Sequence, residues 1–583
     1  MNYALDRFAA EVRSVISASG KVPEALIEVQ VPKPSIPADL CFPTFRAAKE
    51  VGMDAPRLAQ ELAAAVSGAV PPDSLIGEVS AVGPFLNFAL HPQHLAAAVL
   101  DEILCASDRY GRESTGAGKT IVVDYSSPNV AKRMHVGHIR STIIGQSLIH
   151  IFRALGYRVI GDNHLGDWGK QFGIIIASVV REGKPQTEGE EALAHLEAMY
   201  TRYSEAMKDD PALDEEARQW SLRLEQGNAD ARALWQWCVE TTLQVNQRNY
   251  DRLGVSFDHV YGESFYEAML PGMIQQALEM NVARREEGGA VVVEGLDEKL
   301  PTFLLQRSDG GTLYLTRDIA TIAFRMREFR PDQIIYVIGA PQELHLRQLF
   351  ALSRAMGYAQ EVELVHVAFG TVFDATGQAL STRRGNMVYL ETLLDEAVAR
   401  ARGVIEQKQA DLSEEEKERV AEMVGIGAVI YNDLYQDPRR NITLDWDRML
   451  STEGNSATYL QYSYARCRSI MRKAEQALSV ERLLPMDPTL APLLIHPTEQ
   501  QLLKHLARLP AVIREAGERY TPFVIADWCY TTAREFGVFF EQCPVLKAET
   551  PPLREARFLL VTATAQALKN GLSLLGIQAP ERM

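Results

Sequence analysis

Two histidines separated by two residues are the most informative chemical groups in the sequence. His135 and His138 lie in the run His-Val-Gly-His, between a strand-like segment and a helix-like segment. The N–H groups at a helix N-terminus attract phosphate oxygens, and two imidazoles can donate hydrogen bonds to a phosphoryl group that gains charge. Gly137 lets a base or ribose approach the backbone closely. The spacing favours a nucleotide site, and the structural alternative is a pair of histidines that merely caps a helix.

Apolar segments around this pair predict the framework that positions it. Residues 120–125 read Thr-Ile-Val-Val-Asp-Tyr, a β-branched run typical of a buried parallel strand. Apolar residues then recur at helical spacing from Ile139 to Leu155, and Gly156 predicts the end of that helix. Three further strand-like runs occupy 157–162, 332–340 and 362–370. This alternation predicts an α/β fold, with a Rossmann-like doubly wound parallel sheet in the catalytic domain.

The pattern along the chain predicts three domains. Residues 1–112 form an N-terminal α+β domain, and residues 113–450 form the catalytic domain, interrupted near 174–290 by a mostly helical insertion. Residues 451–583 are predicted to be an all-α helix bundle, because strand-like runs end well before them. The first domain opens with an amphipathic helix whose apolar face comprises Leu5, Phe8, Val12, Val15 and Ile16.

Composition excludes several classes of protein. The chain has 583 residues, of which 46% are hydrophobic and 23% charged, a balance that excludes collagen-like and disordered proteins. The six cysteines are scattered without a CxxC pair, so we expect buried thiols in a reducing compartment and a cytoplasmic protein. The net charge of −16 is the wrong sign for a simple nucleic-acid binder, but it is uneven along the chain. Charge therefore neither supports nor excludes a polynucleotide partner.

Several segments together carry a family resemblance. Residues 126–142, which contain the two histidines, resemble the HIGH signature of class I aminoacyl-tRNA synthetases, and their flanks resemble the arginyl-tRNA synthetases in particular. Segments elsewhere match that family in the same order along the chain. They are Cys41–Glu50, Ala81–Phe88, Gly161–Gly173, Leu313–Thr321, Val337–His345 and Gly571–Met583.

This resemblance implies a reaction and its partners. ATP would activate L-arginine to arginyl-adenylate with release of pyrophosphate, and the arginine would then pass to the 3′ end of its tRNA. His135 and His138 would stabilise charge on the phosphate under attack. The ATP-binding residues would be His135, Gly137, His138, Ser381, Thr382 and Arg383. The family further implies Mg²⁺ arriving with ATP, no structural metal, a monomer without membrane contact, an N-terminal domain that touches the tRNA elbow and a C-terminal domain that binds the anticodon.

One signature loop departs from the family pattern. Where the KMSK motif would stand, the sequence has Ala379-Leu380-Ser381-Thr382, so alanine and threonine replace the two lysines. Lys132, just before the histidine pair, holds a place at which some members of the family are thought to carry a compensating lysine. Arg383 and Arg384 are additional candidates, because guanidinium groups bind phosphate oxygens bidentately. Which of these three cations contacts pyrophosphate stays open.

The same resemblance assigns the amino-acid site. Asp318 would face the substrate guanidinium with Tyr314 beside it, and their i, i+4 spacing puts them on one face if the segment is helical. A carboxylate suits this ligand because its two oxygens accept parallel N–H groups. The residues that hold or surround the substrate's amino and carboxylate groups would be Asp124, Ser127, Asn129, His138 and Gln342.

Three alternatives compete with an arginine–tRNA ligase. A small-molecule nucleotidylyltransferase can share the histidine pair, but it would leave both terminal domains unexplained. A non-catalytic RNA-binding relative would be favoured if Lys132 or a histidine were missing, and none is. A class I synthetase for another amino acid is the nearest alternative. Aromatic residues between Tyr459 and Phe540 suit an RNA-binding surface, although aromatics at helical spacing more often form a core.

Overall fold

The computed structural model of the chain describes residues 2–380, 387–408, 412–478, 487 and 489–583. In this part of the chain, no helix is both long enough and apolar enough to pass through a lipid bilayer. The N-terminal region packs four helices on a three-stranded antiparallel sheet of order β1-β3-β2. Its elements are α1 (Ala4–Ala18), β1 (Leu40–Pro43), α2 (Phe45–Glu50), α3 (Ala55–Ser67), β2 (Ile76–Val82), β3 (Phe85–Leu90) and α4 (Pro92–Ala106). The predicted amphipathic face of α1 is confirmed, since Phe8, Val12, Val15 and Ile16 are buried.

A five-stranded parallel sheet forms the centre of the molecule, as predicted. The strands of this middle region are β4 (Thr120–Asp124), β5 (Arg158–Leu165), β6 (His259–Gly262), β7 (Arg284–Arg285), β8 (Val291–Val293), β9 (Phe303–Gln306), β10 (Gln333–Gly339) and β11 (Glu363–Phe369). The parallel sheet has the order β11-β10-β4-β5-β6, and β7, β8 and β9 form a small separate antiparallel sheet. The chain leaves β4 toward one side and later returns to its other side with β10. Ligands of such sheets bind where the strand order reverses, at the carboxyl ends of the strands.

The helices of this region cover the sheet and extend from it. They are α5 (Val136–Ala154), α6 (Lys170–Glu182), α7 (Gly189–Ala206), α8 (Pro211–Glu225), α9 (Ala229–Leu253), α10 (Leu270–Glu279), α11 (Tyr314–Glu328) and α12 (Glu343–Ala355). Helices α6 to α9 form the helical insertion. The range 174–290 predicted for it also contains β6, which pairs with β5 as the edge strand of the main sheet. This strand was missed because it has only four residues and is not an uninterrupted apolar run.

The C-terminal part is helical, which confirms the predicted bundle. Two short strands in this part of the chain, β12 (Val372–Phe373) and β13 (Ile442–Thr443), pair with each other. The helices are α13 (Leu390–Lys408), α14 (Glu414–Leu434), α15 (Trp446–Met449), α16 (Ala457–Leu478), α17 (Pro497–Leu506), α18 (Leu509–Glu518), α19 (Phe523–Gln542) and α20 (Pro551–Leu574). Four of the aromatic residues considered for RNA contact are buried in the core: Tyr464, Trp528, Phe536 and Phe539.

Helix α5 connects the sheet to this bundle. Near its N-terminus, the buried Arg140 donates hydrogen bonds to both carboxylate oxygens of Asp433 on α14, at 3.1 and 3.2 Å. Near its C-terminus, the Ser147 hydroxyl donates to the carbonyl of Leu574 at the end of α20, at 2.9 Å. Gly517 of α18 lies against Leu155, and a Cβ on this glycine would stand 2.6 Å from the leucine side chain. One helix is thus fixed to the bundle along its length.

Candidate active site at the carboxyl edge of the sheet

The two histidines do cap a helix, and the manner of capping also defines their chemistry. His135 is the N-cap of α5, and its Nδ1 accepts a hydrogen bond from the N–H of Gly137 at 3.1 Å. The Nδ1 of His138 accepts from the N–H of His135 at 3.2 Å, and the two rings stack with centroids 4.0 Å apart. Because Nδ1 is an acceptor in both rings, each neutral imidazole carries its proton on Nε2. Each Nε2 is therefore a hydrogen-bond donor.

Both imidazoles are neutral near physiological pH. The pKa of His138 is lowered to about 3, first because burial disfavours the charged ring and then because a positive charge there would be repelled by a protonated His135 and by Lys132. Burial also lowers the pKa of His135, with a further contribution from Lys132. A neutral donor that binds an anion needs no protonation step, so the pair is ready to receive phosphate oxygens across the physiological range.

The loop from β4 to α5 has an unusual backbone. Ser126, Ser127 and Ala131 have positive φ angles of 71°, 49° and 59°, a region that residues with a Cβ rarely adopt. Such conformations persist only where surrounding contacts hold them, and they cluster at ligand sites. The N–H of Ser127 is held by the side-chain oxygen of Asn163 at 3.0 Å, and the N–H of Ala131 by the hydroxyl of Thr242 at 2.9 Å. The loop is thus fixed by both the sheet and the insertion.

Asn129 follows these serines and lies at the same edge. Its side chain is exposed, and its backbone forms a parallel bridge to Gly166 after β5. A Cβ on Gly166 would stand 2.3 Å from the Asn129 side-chain oxygen, so the glycine is required for this close approach. This contact explains why a glycine stands at position 166.

Asp124 supports the loop from beneath. Its Oδ1 accepts from the Ser127 hydroxyl at 3.1 Å, and its Oδ2 accepts from Nη2 of the fully buried Arg325 at 2.7 Å. Arg325 also donates to Asp162 at 2.8 Å, so two carboxylates neutralise one buried guanidinium. With both oxygens engaged in this way, Asp124 acts on the site through Ser127.

Two imidazoles lie beside the carboxylate of Asp318. The segment is helical, as the i, i+4 spacing required, with Tyr314 at the start of α11 and 66% exposed. The Nε2 of His345 lies 2.6 Å from Oδ2 of Asp318, and the Nε2 of His164 lies 3.9 Å from Oδ1. His345 is on α12, which begins directly after the exposed Gln342. Asp318 and Gln342 are therefore brought to the same edge of the sheet.

Sequence reasoning missed the neighbours of Asp318. His164, His345 and Glu263 received no individual role, although two of them stood inside the segments that carried the family resemblance. Burial raises the pKa of Glu263 to about 8; the charge of Asp318 adds to this rise and that of Arg317 opposes it. Within the described residues, Oε2 of Glu263 and both ring nitrogens of His164 are buried without a hydrogen-bond partner. Such groups are costly unless a ligand or water satisfies them, so they mark a polar pocket.

The candidate phosphate-binding cations are only partly described. The Nζ of Lys132 lies 5.0 Å from the centre of the Tyr200 ring on α7. Four predicted residues lie outside the described residues, namely Ser381, Thr382, Arg383 and Arg384. Of the three candidates for contacting pyrophosphate, the structure therefore places Lys132 alone.

Comparison with known proteins gives matches over the whole chain. Family models match residues 6–90 (arginyl tRNA synthetase N terminal domain), 99–446 (tRNA synthetases class I (R), catalytic domain) and 460–583 (DALR anticodon binding domain). The chain is 68% identical over 583 residues to the arginine–tRNA ligase of Chloroflexus aggregans, covering 100% of both chains. It is 38% identical over 556 residues to that of Lactococcus lactis, covering 95% of each. The solved arginyl-tRNA synthetase of Thermus thermophilus superposes with a TM-score of 0.79 at 25% identity, covering 98% of this chain and 100% of the other.

Proposed function

The chain belongs to the arginyl-tRNA synthetase family, and from this premise we propose which of its residues carry out the reaction. Family membership and full-length relatives give the activity: ATP-dependent activation of arginine, followed by its transfer to tRNA. The observation that carries the residue assignment is the orientation of the histidine pair. Since Nδ1 of each ring is bound to the backbone, Nε2–H of each ring is the free donor.

His135 and His138 act on the α-phosphate. In the activation step a carboxylate oxygen of arginine forms a bond to the α-phosphorus, and the bond from that phosphorus to the bridging oxygen of pyrophosphate breaks. Negative charge on the non-bridging oxygens rises in the transition state, where two fixed neutral donors stabilise it without reorganisation. A Cβ on Gly137 would stand 2.9 Å from the His135 ring, so the glycine lets this ring keep its place. The tRNA 3′-terminal hydroxyl then attacks the carbonyl carbon of the adenylate, and AMP leaves.

Pyrophosphate needs positive charge as it departs. Lys132, Arg383 and Arg384 are the candidates to supply it, while Ser381 and Thr382 complete the ATP contacts. Mg²⁺ enters with ATP as part of the substrate. Among the described residues, no group of three or more His, Cys, Asp or Glu side chains is arranged to hold a metal ion.

Arginine is selected by charge and by geometry. Asp318 accepts two parallel N–H groups of the guanidinium, and Tyr314 covers its outer side. The substrate's amino and carboxylate groups are held by Ser127, Asn129 and Gln342, with Asp124 fixing Ser127. Lysine is rejected because its ammonium cannot satisfy both carboxylate oxygens, and each buried unpaired group costs about 1–3 kcal/mol.

The terminal domains contact tRNA. Residues 451–583 bind the anticodon region and residues 1–112 bind the tRNA elbow, in line with the family models that match these parts of the chain. The protein works as a cytoplasmic monomer.

An exchange assay tests the proposal. Purified protein is incubated with ATP, labelled pyrophosphate and one amino acid at a time, with and without tRNA. We expect label to enter ATP with arginine far more than with any other amino acid. Absence of arginine-dependent exchange in both conditions contradicts the assignment, and exchange with lysine at a similar rate contradicts the role of Asp318.

A further inference from the structure

Arg133 joins two elements that flank the histidine loop. Its backbone N–H donates to Oε1 of Glu197 at 2.9 Å, and its side-chain Nε donates to Oε2 of the same carboxylate at 2.8 Å. Its guanidinium carbon lies 3.5 Å above the centre of the Tyr389 ring. Glu197 is on α7 of the helical insertion, and Tyr389 directly precedes α13. One side chain therefore connects segments that are far apart in the sequence.

The backbone beside Arg133 pairs directly with the segment that contains Tyr389. His135 and Tyr389 form an antiparallel bridge. The N–H of Val136 donates to the carbonyl of Val388 at 3.1 Å, and the N–H of Leu390 donates to the carbonyl of Met134 at 2.9 Å. Stacking of the Arg133 guanidinium on Tyr389 holds this two-strand pairing from one side. The backbone around His135 is therefore paired with the same segment that Arg133 contacts through Tyr389.

Helix α7 also contacts the residue before Arg133. Tyr200, whose ring faces Nζ of Lys132, is three positions after Glu197, so both lie on one face of α7. Leu193, Leu196 and Met199 of the same helix are buried in the core of the insertion. A single anchored helix thus holds two consecutive cationic side chains of the loop.

The Arg133–Glu197 pair is partly shielded from water. The two side chains are 23% and 19% exposed. An ion pair with two hydrogen bonds and this degree of shielding is stronger and more directional than an exposed pair on a helix surface. Glu190 and Glu391 lie beside it, and the charge of Arg133 lowers the otherwise raised pKa of Glu190. The contact therefore fixes the position of Arg133 relative to α7.

We propose that Arg133 is a positioning residue, which uses Glu197 and Tyr389 to hold Lys132 and His135 in place for the activation step. The helical insertion then sets the efficiency of adenylate formation through α7. This inference rests on the proposed roles of Lys132 and His135. It predicts a loss in kcat for activation with little change in arginine binding, because Asp318 lies outside this network.

Steady-state pyrophosphate exchange on the full-length protein with saturating tRNA tests the inference. We expect Arg133→Ala to lower kcat by about 10- to 100-fold, the range for a small misplacement of reacting groups, with KM for arginine within about twofold. Arg133→Lys restores part of kcat, since an ammonium still pairs with Glu197 but cannot stack in the same way on Tyr389. Glu205→Gln, on the exposed side of the same helix, is the matched control and leaves kcat unchanged.

A double variant and a thermal melt separate positioning from simple stabilisation. The double variant Arg133→Ala, Glu197→Gln is expected to be no less active than the less active of the two single variants, because both substitutions remove the same ion pair. Additive losses, an unchanged kcat in Arg133→Ala, or a loss of kcat that disappears when the assay is run well below the melting temperature overturns the inference. His138→Asn serves as the reference for the proposed function. If His138→Asn is fully active, the assignment of the site fails; if it is inactive while Arg133→Ala is fully active, only the positioning role fails.

Discussion

His345 and Asp318 share a hydrogen bond, with Nε2 of the imidazole 2.6 Å from Oδ2 of the carboxylate. The two residues come from neighbouring helices, α12 and α11, and His164 approaches the other carboxylate oxygen from β5. The carboxylate that we assign to the substrate guanidinium is thus oriented by the protein before substrate arrives. An incoming guanidinium competes with His345 for the same oxygen.

This competition predicts a pH-dependent affinity for arginine. Burial lowers the pKa of His345, but the hydrogen bond and charge of Asp318 outweigh it and raise the pKa above its ordinary value of 6.5. Below that raised pKa an imidazolium neutralises Asp318, so KM for arginine falls as pH rises through it. Pyrophosphate exchange from pH 6 to pH 9 measures the profile. His345→Asn should flatten it, and a variant profile parallel to that of the wild type refutes this explanation.

Loss of the Asp318 charge should affect one substrate selectively. We expect Asp318→Ala and Asp318→Asn to raise KM for arginine about 100-fold, since two charge-assisted hydrogen bonds of about 1.5 kcal/mol each are lost. KM for ATP should stay within about threefold. Glu328→Gln, an exposed acid on the same helix, is the control. Equal losses for arginine and ATP would contradict the pocket assignment.

Substitutions of His138 can separate its two ring nitrogens. In His138→Asn the amide oxygen can still accept the His135 N–H, so α5 stays capped while the Nε2 donor is lost. We expect near-normal thermal stability and a kcat for exchange about 100-fold lower, as for removal of one oxyanion donor. His138→Gln places an amide nitrogen nearer to Nε2 and should lose less. Full activity in both variants would mean that the Nε2 donor has no role in catalysis.

Removing Lys132 tests which cation serves pyrophosphate. Lys132→Ala should lower the rate of adenylate formation more than it weakens arginine binding, because the ammonium acts on the leaving group. Single-turnover measurements with quenched samples give the two effects separately. Lys208→Ala, an exposed lysine just after α7, is the control. Unchanged turnover in Lys132→Ala would assign the role to Arg383 or Arg384.

Glu190 predicts a pH dependence of stability. Burial and then the charge and hydrogen bond of Glu391 raise the pKa of Glu190 from 4.5 to about 7. Between these values the unfolded chain releases the proton while the folded chain keeps it, so stability is lost as pH rises across this window. Glu190→Gln should therefore stabilise the protein at pH 8 more than at pH 5 in urea denaturation. The same gain at both pH values, or the same pattern in Glu205→Gln, would argue against this origin.

Local patterns in the sequence predicted the elements that have strong local signals. β4 and β10 are uninterrupted apolar runs, and α5 has a helical period with Gly156 at its end, so their types followed from the residues alone. β6 lacked such a signal because it has only four residues and, as an edge strand, is stabilised mainly by its pairing with β5. The predicted domain boundaries, like the roles of residues 381–384, stay predictions.

The residues of the candidate site also differ in whether the sequence could predict them. The histidine pair and Asp318 were predicted from motifs, and the structure places them at one edge of the sheet. The contact of Arg133 with Glu197 joins residues 64 positions apart, and the contact of His164 with Asp318 joins a strand to a helix on the far side of the insertion. Such pairs have no local signature, because the fold alone brings them together.

Helix α5 is unbroken and connects distant parts of the molecule. This helix has 19 residues and, at 1.5 Å per residue, is a rod about 28 Å long. His135 and His138 lie at its N-terminal end, and Arg140 binds Asp433 of α14. Ser147 binds the carbonyl of Leu574, in the domain that we propose to bind the anticodon. Because a helix held along its length moves as a unit, a displacement of the C-terminal helices would also displace the two imidazoles. A single helix thus links the imidazoles to the C-terminal helices.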